Sequence, residues 1–353
     1  KIKPKMINTA LLAEICKVAG APGHEQRVRE IVLREITGLV DEIKIDNLGN
    51  LVAIKKGKER KRVMIGAHMD EIGFIVTHID DKGFVYFHTL GGFDPKTLTA
   101  QRVIIHGTED VIGVMGGKPI HLMNAADRAK VPTIKDYFID TGRSKEELDK
   151  IISVGDTITR RSELIEMGDC INCKSLDNRV AVFILIEMFR EMKKTPSYDV
   201  YGVFTVQEEI GIRGANVSAL DINPDFGFGL DTTIAWDTPG STKQEQVSAL
   251  GEGACIKVMD SATVCDYRMV KYMKELAKKK KLKTQLEILP AGGTDTAGIQ
   301  RMNPGGSIAG AVSVPTRHIH QSIEMVHKED VRGAIDLLRH SVENLHTYDW
   351  SFK

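Results

Sequence analysis

Glu208 and Glu209 stand side by side just after the apolar run Val200-Tyr-Gly-Val-Phe-Thr205, which reads as a buried strand. Adjacent carboxylates repel and resist desolvation, so a chain that ends a buried strand on them needs water or a cation there. Other residues of metal-binding type fall at equivalent places. His68 and Asp70 follow the apolar run Val63–Ala67, and Asp231 follows the run that begins at Phe226. Asp177 sits where a loop enters a long helical pattern, and His318 and His320 come after the Ala/Gly-rich run Gly305–Val312. Parallel strands of an α/β sheet deliver such residues together at their carboxyl ends.

One imidazole and three or four carboxylates, with a second imidazole near the chain's end, suit two divalent cations about 3.5–4 Å apart that share a carboxylate. Mixed nitrogen and oxygen ligation points to zinc first, with cobalt or manganese compatible. Neighbouring glutamates at a strand end point different ways. One can therefore bind a metal while the other accepts a proton from water as a general base. Asp70, two residues beyond His68, is within reach of the imidazole's other N–H and would orient the ring. A compact motif of the H-E-x-x-H kind is absent, so the reading rests on the constellation.

The elements that must position these residues follow from periodicity. Helical spacing covers residues 10–18 and 25–36, with Gly20 and Gly38 just beyond, followed by a hairpin over 42–54 and a buried strand over 63–67. From about Gly73 to Arg161 short β-rich runs are split by Gly and Pro, with one helical stretch at 144–151. That texture predicts a small β-barrel or sandwich inserted into the larger domain. Strand and helix then alternate again through 178–192, 200–206, 226–230, 266–280, 285–289 and 328–346, which predicts a discontinuous α/β domain.

Composition narrows the function. The 353 residues carry 48 Lys+Arg and 48 Asp+Glu, for a formal net charge of zero, so no global field draws the chain to nucleic acid or an anionic membrane. No apolar run reaches the roughly 18 residues of a membrane span. Five scattered cysteines suit reduced thiols rather than a disulfide framework, and a cytoplasmic protein is expected.

The motifs AHMDEIGF (67–74), GGFDPKTL (91–98), SLDNRVA (175–181), TVQEEIGIRGA (205–215), LDTT (230–233), AGGTDTAG (291–298) and SVPTRHIHQS (313–322) together resemble the M42 family of metallo-aminopeptidases, the tetrahedral or TET group. The resemblance runs from Gly20 to the C-terminal helix. It implies a zinc-peptidase-like, three-layer α/β catalytic domain over 1–72 and 162–353, with a β-barrel or PDZ-like assembly domain inserted over 73–161. It also implies two metal ions per subunit, Zn2+ or Co2+, and cleavage of N-terminal residues from short peptides with a free N-terminus. The subunits would form a homo-oligomer, a dodecamer built from dimers. Carried over by position, His68 and Asp231 would hold one ion, Glu209 and His320 the other, and Asp177 would bridge, with Glu208 as general base. His318 stands where the family more commonly has tyrosine, so His320 is the implied ligand.

Other features carry plainer readings. Cys170-Ile-Asn-Cys173 is a lone CxxC without a second pair, and is expected to be structural. Gly292-Gly293-Thr294-Asp295 lacks the Lys of a phosphate loop and suits a turn lining the substrate pocket. Arg317 reads either as a partner of the site acids or as a surface cation. His121 is the one histidine of the insert that would face a chamber. Two rival functions use the same ligands: a non-catalytic metal-binding scaffold, which needs no extra carboxylate at Glu208, and a dinuclear hydrolase of another bond, such as an N-acyl amide or a glycoside. Two adjacent acids cannot by themselves straddle a sugar ring at the roughly 5–10 Å that glycosidic cleavage requires.

Overall fold

The computed structural model describes residues 6–352; within the expected catalytic ranges, residues 1–5 and 353 lie outside the described residues. The apolar runs pair as the alternation predicts. Strands Tyr198–Thr205, Glu59–His68, Phe226–Ile234 and Ile308–Arg317 lie side by side in that order, all parallel, at the centre of an eleven-stranded mixed sheet. The hairpin Glu42–Ile45 and Leu51–Lys55 extends one side antiparallel. On the other side lie Glu324–His327, Cys170–Cys173 and Ile165–Met167, while Ala254–Met259 and Thr284–Ile288 branch from Ile308–Arg317.

Register brings the chemistry to one level. Thr205 is opposite His68 and Gly229 is opposite Gly66, so the same register two residues on sets Asp231 level with His68. Three separate segments thereby present their polar residues at one sheet end, where parallel strands leave a crevice.

Helices cover both faces, giving three layers. Leu176–Glu191 is apolar almost all round and buried from Leu176 through Phe189, as expected of a helix enclosed on every side. It packs on the sheet and beside the helices Thr9–Lys17, Gln26–Ile36 and Lys328–Asn344. Phe183 within it is fully buried, and truncating such a ring to alanine costs about 3–5 kcal/mol. The opposite face is covered by Arg213–Ile222 and Thr296–Arg301 through Met64, Val203, Ala219 and Ile299. Close approach of the second helix depends on Gly227 and Gly229, where a Cβ would sit 2.2 Å from Ile299 and 1.9 Å from Thr296.

Six strands, Gly73–Ile79, Val85–Leu90, Arg102–His106, Asp110–Gly117, Tyr137–Asp140 and Thr157–Arg160, close into a barrel. Its own core contains Phe74, Val76, Leu98, Ile105, Ile139 and Ile158. Closure removes the exposed edges that so many short strands would otherwise leave.

Two expectations are adjusted. The helix expected over 144–151 is the single turn Lys145–Leu148, stopped early and capped by a reciprocal Ser144 and Glu147 box. Asp231 lies inside its strand rather than after it, because the β-branched Thr232, Thr233 and Ile234 continue the ladder against Val314, Pro315 and Thr316.

Candidate metal centre

Seven of the eight residues singled out by type and spacing converge. Asp177 is the pivot: its Oδ1 lies 3.4 Å from His68 Nε2, and its Oδ2 lies 3.4 Å from His320 Nε2. His68 Nε2 is also 3.8 Å from Asp231 Oδ1 and 3.7 Å from Glu208 Oε2. His320 Nε2 is 3.3 Å from Glu209 Oε2. Two groups of ligand atoms result, His68–Asp177–Asp231 and Asp177–Glu209–His320, with the atoms of each within 4.8 Å of one another. His318 belongs to neither group. All but His320, whose side chain is 35% exposed, are nearly closed off from solvent.

The electrostatics are those of acids crowded together. Burial pushes the Glu208 carboxyl well above its ordinary range, and the neighbouring Asp231 and Glu209 add to this against the pull of His68. Burial likewise pushes Asp231 well above its range and raises Glu209. Burial disfavours the charged imidazole of His320, yet Glu209 and Asp177 push it up to about 12. Asp177 is held below the usual carboxylate range by His320 and His68 despite its burial. Glu209 Oε1 is buried without a hydrogen-bond partner. An excess of carboxylates, an orphaned oxygen and two imidazoles fit divalent cations by the chemistry of the donors.

Asp70 sits where the spacing put it. Its Oδ1 is 3.3 Å and its backbone oxygen 3.1 Å from His68 Nδ1, an arrangement that directs Nε2 into the site. Three further buried groups carry no such signal in the sequence. Arg179 donates to the carbonyls of Met69, Ile15 and Val18 and to Glu71, while Glu71 accepts from Lys174 and Ser175. This knot ties the His68–Asp70 turn to the Asp177 loop. Glu324 accepts the backbone N–H groups of Asp177 and His320. Apart from the Glu324 bond to His320, four residues away, these links join segments over a hundred residues apart through backbone atoms or ion pairs, which residue type cannot announce.

The remaining candidates are divided between the cavity wall and positions away from the site. Arg317 forms a two-pronged pair with Asp237 at 2.6 and 2.7 Å, so its partner is not a site acid. Asp295 is buried beneath the site, accepts from Thr205 Oγ1 at 2.5 Å, and is raised to about 6 by burial. Gly292, Gly293 and Thr294 line the cavity beside the metal groups. Cys170 and Cys173 lie three apart on one strand, on opposite faces, with Cys173 against Cys16. His121 is exposed on a short turn.

A three-layer α/β fold with a closed barrel and two histidine–carboxylate groups sharing an aspartate defines a class of peptidases, and the chain belongs to the M42 glutamyl aminopeptidase family, whose model matches residues 49–337. Along 98% of its length it is 32% identical to the lysyl aminopeptidase of Pyrococcus furiosus, covering 100% of that relative. It is similar in structure to a TET aminopeptidase from a marine sediment archaeon of the Thaumarchaeota, with a TM-score of 0.92 at 32% identity over 96% of each chain. The TET1 peptidase of Pyrococcus horikoshii, described as assembling into a tetrahedron or a large octahedral shell, superposes with a TM-score of 0.85 at 29% identity, over 95% of this chain and 98% of that one.

Proposed function

We propose that this chain is a cytoplasmic, dinuclear metal-dependent aminopeptidase that removes N-terminal residues from short peptides. The observation that carries the reading is Asp177, whose two oxygens face two different histidine–carboxylate groups while Glu208 reaches the same space from beyond them. His68 and Asp231 would hold one ion, Glu209 and His320 the other, and Asp177 would serve both. When bound, such ions, zinc or cobalt, would polarise the scissile carbonyl and lower the pKa of the attacking water.

The chain's own groups do the rest. Glu208 takes the proton of the attacking water and returns it to the leaving amine. Asp70 holds His68 in one orientation throughout. A cavity of about 540 Å3, walled by Ile212, Thr233, Ile234, Leu289 and Gly293, opens beside the metal groups and receives the first side chain. The surplus of carboxylates favours a positively charged group, which a free α-ammonium supplies and an acylated terminus lacks. The same reading gives the barrel of residues 73–161 an assembly role and the chain a homododecamer built from dimers, supported by the tetrahedron described for the P. horikoshii neighbour.

The test is hydrolysis of a panel of aminoacyl anilides, with N-acetylated controls, by protein stripped of metal and reloaded with zinc or cobalt. Activity restored by metal and confined to free amino termini is the expected result. Verified metal loading with no hydrolysis of any anilide overturns it in favour of the scaffold, or of a hydrolase of another bond.

A further inference from the structure

Asp177 and His320 come from distant parts of the chain, yet one side chain spaces them. Glu324, only 2% exposed, accepts the Asp177 N–H through Oε2 and the His320 N–H through Oε1, each at 2.9 Å. We propose that Glu324 is a positioning residue for the Asp177–Glu209–His320 group: its two oxygens fix the gap between Asp177 and His320 into which the second cation fits. This rests on the dinuclear reading above.

Three observations support it. His320 has a φ of +64°, a left-handed conformation that a residue with a Cβ keeps only when its surroundings impose it. Two contacts impose it here, Glu324 on the His320 N–H and Arg160 Nη2 on the His320 carbonyl at 3.0 Å. Glu324 is itself immobilised, since it pairs with Cys173 in the antiparallel ladder and its carbonyl accepts from Asn172 Nδ2. The ladder also ties it to the segment leading into Ser175, whose left-handed turn begins the Asp177 loop. A carboxylate buried at this depth is retained only with strong donors, and here one donor belongs to His320 of the second group and the other to Asp177, which both groups share. Glu324 holds two members of the second group, Asp177 and His320, but only the shared Asp177 of the first, whose His68 and Asp231 it does not touch, so its loss weighs more on the second group.

The experiment titrates metal-stripped wild type, Glu324→Gln and Glu324→Ala with Co2+ by calorimetry, and follows thermal unfolding of each stripped protein as a control on folding. Wild type is expected to bind two ions. Both variants are expected to keep one ion at near wild-type affinity and to bind the second at least about 10-fold more weakly, the size of effect seen when a ligand's support is removed. Glu324→Gln should be the milder, since glutamine retains one acceptor; should Glu324→Ala fail to fold, Glu324→Gln decides alone. Wild-type affinity for both ions in the variants, or equal weakening of the two, overturns the proposal. Wild type that binds a single ion overturns the dinuclear reading and this proposal with it. Two ions bound with no hydrolysis of any peptide analogue fails the aminopeptidase reading alone.

Discussion

Oδ1 of Asp70 accepts the backbone N–H of Glu208 at 3.0 Å and lies 3.3 Å from Nδ1 of His68. Its other oxygen takes the N–H of Glu209 at 3.1 Å. One buried carboxylate therefore sets the imidazole of one metal group and the turn that carries both the proposed base and a ligand of the other group. The turn needs that hold, because Gln207 just before it has a φ of +56°, where a side chain with a Cβ is strained.

Replacing Asp70 by Asn keeps the shape and removes one acceptor, since an amide nitrogen cannot receive the N–H of Glu209 or Glu208. Turnover or metal affinity is expected to fall about 10–100-fold. Steady-state kinetics on a cleavable anilide, with metal analysis of the same preparation, checks this. Wild-type values for both would remove Asp70 from the machinery.

Glu208→Gln separates the base from the ligands. The amide cannot take the water's proton, whereas both metal groups keep all their members. The turnover number should fall about 10²–10⁴-fold with KM little changed, and metal content should stay at the wild-type level. Loss of a metal ion in this variant would make Glu208 a ligand and transfer the base to another carboxylate.

Much of this site could be read from single residues, because each side chain of the two histidine–carboxylate groups closes a recognisable pattern. His68 follows an apolar run, Glu208 and Glu209 are a costly pair at a strand end, and Asp177 opens a long apolar helix. The supporting layer could not be read in that way. Glu324, Glu71 and Arg179 act on carbonyls, N–H groups and charges of distant segments, and only the folded register brings them together. Among the elements, Arg213–Ile222 escaped because RGANVSALDI mixes Gly, Asn and Ser with a broken apolar stripe. Strand Ala254–Met259 carries a buried lysine that interrupts its apolar run, and Lys257 is tolerated there only because Glu287 and Asp260 pair with it.

Stability should fall as pH drops through a site far from the histidine–carboxylate groups. His340 accepts from Arg339 Nη2 at 3.1 Å, and burial, with Arg339 and Lys280 nearby, lowers its pKa to about 4. The unfolded chain protonates this imidazole below about 6.5, so between those values the unfolded state binds more protons and stability declines with falling pH. The ring is partly exposed, so solvent screening holds the full loss to about 1–2 kcal/mol. Urea unfolding of the wild type and His340→Gln at pH 7 and pH 5 tests it. The variant should lose less than the wild type over that interval, and equal losses would assign the acid sensitivity to other groups.

Lys257 tests whether the wall of the cavity is built on compensated charge. It is fully buried, with Nζ 2.5 Å from Glu287 Oε1 and 3.2 Å from Asp260 Oδ2, and the attraction of these acids raises its pKa against the effect of burial. Lys257→Met fills the same volume but leaves two carboxylates facing each other in a medium that solvates neither. Breaking a buried pair from one side costs about 3–5 kcal/mol, so a large drop in unfolding free energy is expected. Adding Glu287→Gln should recover part of it, because one of the stranded charges is then gone. Recovery in the double variant identifies stranded charge as the cause, since a packing defect left by the lysine would persist. A single variant as stable as the wild type would mean that water reaches Asp260 and Glu287 from the cavity, and that the lysine is not what keeps them ionised.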